Sequence, residues 1–109
     1  MDQVVTERQF EQTADRTLTA LQAALDALSL DCEVELSMGI LTVEFPDGTK
    51  YVVNSHRAAK QIWMAAEREA WHFDPGPNGW VAAKSGDELV ATISRVLTKK
   101  LGTAVALRV

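Results

Sequence analysis

The sequence predicts an α+β fold: a two-layer sandwich in which an antiparallel sheet of about five to six strands carries an N-terminal and a C-terminal helix on one face. Two observations predict it. Apolar residues recur with a helical period up to Leu28, alternate in steps of two from Cys32 onward, and return to a helical period at Leu89. Closely spaced turn signals cut the alternating stretch, leaving no room for crossover helices, so successive strands are expected to run antiparallel. With 109 residues the chain is long enough for one core and rarely for two, so residues 1–109 are read as one domain.

The elements follow in order. Thr6 and Gln9 form a capping box at the start of the first helix. At about 100° per residue, Phe10, Ala14, Thr17, Leu18, Leu21, Ala24, Leu25 and Leu28 share one arc roughly 120° wide, which must be buried. The pattern stops at Ser29-Leu30-Asp31. Cys32, Val34 and Leu36 then alternate with Asp31, Glu33 and Glu35, as in a strand with one wet face. Leu41, Val43 and Phe45 continue the alternation up to the turn Pro46-Asp47-Gly48. Lys50 to Asn54 resumes it, which makes a hairpin. Gln61 to Ala65 and Ala70 to Asp74 read as shorter strands. Trp80 to Ala83 reads as another, after the turn-rich Pro75-Gly76-Pro77-Asn78-Gly79. Ser85 and Glu88 read as a second capping box, ahead of the apolar stripe Leu89, Ile93, Val96, Leu97 and Leu101. Lys99 and Lys100 suit the negative end of that helix, and Gly102 the position just past it. In the tail, Val105, Leu107 and Val109 alternate, fit either to cover the seam between the helices or to add an edge strand.

Composition narrows the function classes. Hydrophobic residues at 47% and charged residues at 24% are those of an ordinary globular chain. No apolar run approaches the ~20 residues of a transmembrane helix. Met1 to Gln12 holds three acids and one Arg, unlike a secretory or transit leader, so a cytoplasmic location is expected. The single Cys32 excludes an internal disulfide, an iron–sulfur cluster or a Cys-rich zinc site, and its inward parity marks it as a small buried hydrophobe. Fifteen acids against eleven bases give a net charge of −4, which disfavours nucleic acid and anionic membranes and suits cations or basic proteins. No phosphate loop, dinucleotide-binding glycine motif, serine-elbow motif or zinc-protease motif is present.

Two surfaces could carry chemistry. The first is acidic. Glu7, Glu11, Asp15 and Asp26 lie at about 0°, 40°, 80° and 100° around the first helix, beside its apolar arc. Asp31, Glu33 and Glu35 occupy the polar side of the first strand, so up to seven carboxylates are expected to share one ridge. Clustered like charges destabilise a helix by roughly 0.2–0.5 kcal/mol per pair. A ridge of carboxylates without His or Cys suits hard cations such as calcium, manganese or iron. It serves equally as a solvated acidic face. The second surface is the uncovered side of the sheet. Parity sends Ile62 and Met64 to the helices and Gln61 and Trp63 to water, with Asn54 and Lys50 on the same wet side. An exposed Trp63 is either an interface anchor or a side chain packed among its neighbours. His56 reads as a loop residue and His72 as facing out of the sheet; neither has metal-site spacing.

In combination these residues resemble the frataxin family, in particular its bacterial CyaY members. The resemblance rests on the acidic first helix, Asp31-Cys32-Glu33, Gly39-Ile40-Leu41-Thr42-Val43-Glu44-Phe45, Tyr51-Val52-Val53-Asn54, and Lys60-Gln61-Ile62-Trp63. It continues through His72-Phe73-Asp74, Trp80 and Ser85-Gly86, and covers about Thr6 to Arg108. It implies the same sandwich, weak binding of ferrous or ferric iron (with other divalent cations) on the ridge Glu7, Glu11, Asp15, Asp26, Asp31, Glu33 and Glu35, and a part in iron–sulfur cluster assembly. There the family docks on a cysteine desulfurase and its scaffold protein; the carried-over docking residues are Asn54, Lys60, Gln61, Trp63 and His72, with Trp80 nearby. A monomer is expected, with an iron-dependent oligomer as the alternative. Three stretches depart from the family pattern. Ala23-Ala24-Leu25-Asp26-Ala27 is poorer in acids, Leu36-Ser37-Met38 makes the first turn look longer, and Glu67-Arg68-Glu69-Ala70 replaces a Gly-rich turn.

The resemblance therefore implies a non-enzymatic iron-binding regulator or iron chaperone. The alternatives are a ferroxidase, which would want a compact His-plus-carboxylate centre, and a protein-binding adaptor for which iron is incidental. Nucleic-acid binding on the sheet is disfavoured by the charge and by the strand order, which lacks the interleaved helix of RNA-recognition domains.

Overall fold

The computed structural model describes residues 6–109; the stretch Met1 to Gln12, weighed above for a leader, falls partly on residues 1–5, outside them. The elements run α1 (Glu7–Ala27), β1 (Glu33–Ser37), β2 (Ile40–Glu44), β3 (Lys50–His56), β4 (Gln61–Ala66), β5 (Glu69–Gly76), β6 (Gly79–Ala82) and α2 (Leu89–Leu101). The six strands form one sheet in chain order, every neighbour antiparallel. Helices precede and follow it, as expected from the change of period.

The first helix starts where the sequence places it. Thr6 Oγ1 accepts from Gln9 N–H at 3.1 Å, and Gln9 Oε1 accepts from Thr6 N–H at 3.0 Å. Phe10, Ala14, Leu18, Leu21 and Leu25 are buried, while Leu28 has become the C-cap and is 43% exposed. It leaves the expected apolar arc because the helix has ended before it. The helix crosses the sheet: Phe10 and Thr17 reach Trp80 of β6, whereas its C-terminal end packs on β1.

Local chemistry sets the strand connections. Ser37 pairs directly with Ile40, so the β1–β2 connection is the two-residue turn Met38-Gly39 with φ of 51° and 77°. Two left-handed residues are what a tight hairpin needs, and the extra length read at Leu36-Ser37-Met38 goes into the strand instead. A Cβ on Gly39 would stand 2.6 Å from Ser55 Oγ, so a larger residue there would be strained at its φ of 77° and would have to displace the Ser55 hydroxyl. In β1 the inward residues Val34 and Leu36 are only half-buried, as is Cys32 just before it; as the edge strand, β1 is not fully covered. Burial of the Cys32 thiol, with the Asp31 and Asp26 carboxylates nearby, pushes its pKa up and keeps it a neutral thiol.

The second helix starts later than the sequence suggests. Ser85 is not the N-cap; its hydroxyl serves Asp87, accepting from its backbone N–H and donating to its carboxylate. Glu88 caps α2 itself, its carboxylate accepting from Val90 N–H at 2.9 Å and Ala91 N–H at 3.0 Å. Val81 pairs with Glu88 in an isolated bridge, which holds that residue extended and delays the helix. Glu88→Ala should cost about 1 kcal/mol in denaturant unfolding, the usual worth of an N-cap. Ser85→Ala should cost less, because the helix keeps its cap. At the far end Gly102 is left-handed and Lys99 and Lys100 sit in the last turn, as read. The tail adds no strand among the described residues. It runs along α2, with Val105 and Leu107 buried and their backbones bonded to Thr98 and Ser94. No described helix is long and apolar enough to cross a membrane.

Candidate functional site

The α1 carboxylates are all exposed or half-buried, but they do not form one row with those of β1. Arg57, in the β3–β4 turn, sits between Glu7 (3.5 Å) and Glu11 (2.8 Å). The hydrogen bond that Arg57 donates to Glu11, together with the negative charges of Glu11 and Glu7, raises the Arg57 pKa further. The repulsion expected between Glu7 and Glu11 is therefore offset by a cation from another element. Asp15 lies further along, in a groove with Leu18, Thr19, Leu36, Met38 and Gly39. Asp26 and Asp31 both lie near enough to Cys32, where the helix hands over to the sheet, for their charges to raise its pKa.

Glu33 and Glu35 point to the opposite side of the sheet from the helices, because their neighbours Val34 and Leu36 face the core. Glu33 stands directly opposite Glu44, which in turn pairs with Lys50, so the wet side of this edge holds one more acid than the sequence reading assigned. Among the described residues no three His, Cys, Asp or Glu side chains are grouped so that they could hold a metal ion. The ridge is a run of negative field along an edge and a helix rim. A cation over it would keep most of its water.

The uncovered side of the sheet is more organised. One row across the strands reads Ser37, Ile40, Asn54, Trp63 and His72, each directly paired with the next. Beside it, His56 pairs with Gln61. The parity reading of β4 holds: Ile62 and Met64 are buried while Gln61 and Trp63 are half-exposed on the other side. Trp63 Nε1–H donates to Gln61 Oε1 at 2.9 Å, and Gln61 Nε2–H donates to Asp74 Oδ1 at 3.0 Å. Trp63 also lies between two imidazoles. His56 stacks on one face (centroids 3.9 Å apart, planes 15° off parallel) and His72 on the other (4.3 Å, 15°). His56 is thus the last residue of β3 and part of this face, not a loop histidine. The rest of the β3–β4 connection is the turn Arg57–Lys60, in which Lys60 is left-handed at φ 53° and half-buried.

Trp80 does not belong to this face. It is 6% exposed on the helix-covered side, edge-on to Phe10 (5.8 Å, 81°), and its Nε1–H donates to Thr17 Oγ1 at 3.0 Å. Residues in β6 alternate like any others, and the inward position fell to Trp80 and Ala82, leaving Val81 outside. The β4–β5 turn that stands in place of a Gly-rich one is stabilised by Tyr51, whose hydroxyl donates to Glu67 at 2.6 Å across it. Burial and the Glu67 charge both push the Tyr51 pKa well up.

Residues 3–103 match the family model described as a frataxin-like domain. The chain is 35% identical over 101 residues to an iron–sulfur cluster assembly protein CyaY of Dechloromonas aromatica, covering 92% of this chain and 96% of that one. Among solved structures it superimposes on a frataxin from Psychromonas ingrahamii with a TM-score of 0.86 at 25% identity, covering 93% and 96%. It also superimposes on a trimeric frataxin from the yeast Saccharomyces cerevisiae complexed with ferrous iron, with a TM-score of 0.72 at 31% identity, covering 94% and 92%.

Proposed function

From the premise that this chain belongs to the frataxin family, we propose that it is a non-enzymatic, iron-binding regulator or iron carrier of iron–sulfur cluster assembly, folded as one frataxin-like domain. It acts by docking on a cysteine desulfurase–scaffold complex. Relatives named as iron–sulfur cluster assembly proteins and a yeast frataxin complexed with ferrous iron support that reading. The observation that carries it is the row Asn54, Trp63 and His72 on the uncovered side of the sheet: an aromatic centre with a polar surround of Gln61 and Asp74. That is the anatomy of a protein-docking surface.

In this reading the carboxylates of α1 and β1 do two things. They attract hydrated iron as cargo, held weakly and with little selectivity because no cage of ligands among the described residues encloses it. They also steer a basic partner surface towards the docking face. Asp15, Asp26, Asp31, Glu33 and Glu35 carry most of this, since Glu7 and Glu11 already share Arg57. A ferroxidase reading would need a compact redox centre of His and carboxylates, and it is less favoured than carriage of iron.

The test is a residue-resolved NMR titration, first with ferrous iron and then with a purified desulfurase–scaffold complex. Iron is expected to perturb Asp15, Asp26, Asp31, Glu33 and Glu35, and the protein complex to perturb Trp63, His72 and Asn54 as well. Iron perturbations confined to His56 and His72, with the carboxylates silent, would overturn the carrier role. A companion measurement follows from the steering argument. The triple variant Asp31→Asn, Glu33→Gln, Glu35→Gln should lower the association rate several-fold at low salt, and the difference should vanish near 1 M salt, where the Debye length is about 3 Å. Loss of affinity that persists at high salt would mean these groups make direct contacts instead.

A further inference from the structure

Trp63 is held from more directions than an exposed anchor needs for its own stability. His56 covers one face of the indole at 3.9 Å and His72 the other at 4.3 Å, all three rings within 15° of parallel to their neighbour. The rings stack along the direction that joins the strands, because His56, Trp63 and His72 come from β3, β4 and β5 in turn. Their planes therefore stand upright on the sheet and their edges point outward. The remaining polar atom of the indole, Nε1–H, is engaged by Gln61, which is itself held by Asp74. His56 is fixed from below: its Nδ1 accepts from Ala59 N–H at 3.3 Å, tying the ring to the β3–β4 turn. Nothing in the core requires this arrangement, since Ile62 and Met64 fill the buried side of β4 without it.

We propose that His56 is a positioning residue of the docking face: it clamps Trp63 against His72 so that the indole is pre-set to meet a partner edge-on. The proposal rests on the docking role given above. A free indole on a wet sheet face would lose rotamer freedom on binding; one already sandwiched loses little, so the clamp raises affinity by preorganisation. Facing its edge outward also selects what it can meet. The edge carries the positive rim of the ring's charge distribution, which favours acceptor oxygens or the face of a partner's ring.

The experiment compares His56→Ala and His56→Phe with the parent and with Trp63→Ala. It measures affinity for a purified desulfurase–scaffold complex and the ¹⁵N order parameter of the Trp63 indole N–H in the free protein. His56→Ala should loosen the Trp63 indole, leave the Trp71 and Trp80 indoles unchanged, and weaken binding roughly two- to tenfold, the scale of one ring–ring contact. His56→Phe keeps a flat ring at the same place and should restore both the order and most of the affinity. If His56→Ala changes neither readout, there is no clamp. If His56→Phe binds as poorly as His56→Ala while Trp63 stays ordered, His56 touches the partner itself and is not a positioning residue. If Trp63→Ala binds like the parent, the docking role has failed, and this proposal falls with it.

Discussion

Trp80→Ala should remove about 3–5 kcal/mol of folding stability, the cost of truncating a buried aromatic. A small domain has roughly 5–15 kcal/mol in total, so the variant should lose a large fraction of its margin and unfold at a much lower denaturant concentration or temperature. The indole is 6% exposed and lies where α1 crosses β6, edge-on to Phe10 at 5.8 Å. Removing it takes the ring contact from Phe10 and the indole N–H from Thr17 Oγ1 in one step, and leaves a cavity between the two layers. Denaturant unfolding reads the loss as a lower midpoint with an unchanged slope. Trp80→Phe helps separate the two contributions, because it keeps an aromatic ring and much of the volume while losing the hydrogen bond; a loss of about 1–2 kcal/mol is expected there. If Trp80→Ala stayed fully stable but lost affinity for the assembly complex, Trp80 would have to be reassigned from the core to the docking face.

How much of this was readable beforehand depended on distance along the chain. The Thr6–Gln9 cap, the inward set Phe10, Ala14, Leu18, Leu21 and Leu25, and the parity of Gln61 to Met64 are all decided within a few residues, and each was legible. Period and parity say which side of an element is wet. They say nothing about what stands opposite. Arg57 reaches Glu7 and Glu11 across 46 residues or more, so the local pattern shows an uninterrupted acidic row where the folded chain sets a cation from the β3–β4 turn between the two acids. The N-cap of α2 falls at Glu88 instead of Ser85 for a similar reason: Ser85 fits a local capping box, and the Val81–Glu88 bridge that overrides it is a tertiary contact. The resemblance puts Trp80 near the docking face, whereas its own alternation with Val81 places it inside. His56 carried a usable signal as well. Once a turn at Arg57–Lys60 pairs His56 with Gln61 and Asn54 with Trp63, His56 becomes a diagonal neighbour of the tryptophan, within reach of an aromatic ring.

Trp63→Ala should do the reverse of Trp80→Ala: leave a folded protein and weaken its binding to the desulfurase–scaffold complex by about 2 kcal/mol or more, roughly thirtyfold. The indole stands on the uncovered side of the sheet, where water can fill the space it leaves, so no sealed cavity forms. Stability should fall by only about 1 kcal/mol, the order of the ring contacts with His56 and His72 that are lost. Binding suffers more because a central aromatic anchor contributes most when its surroundings exclude water, and Asn54, Gln61, His72 and Asp74 form that surround here. Truncation also frees the Gln61 side-chain carbonyl that held the indole N–H, loosening its link to Asp74 at the centre of the surface. Unfolding midpoint and partner affinity must be measured on the same preparation. A variant that unfolds like Trp80→Ala while its folded fraction binds normally would place Trp63 among the structural aromatics. The uncovered sheet face would then lose the residue that makes it a docking surface.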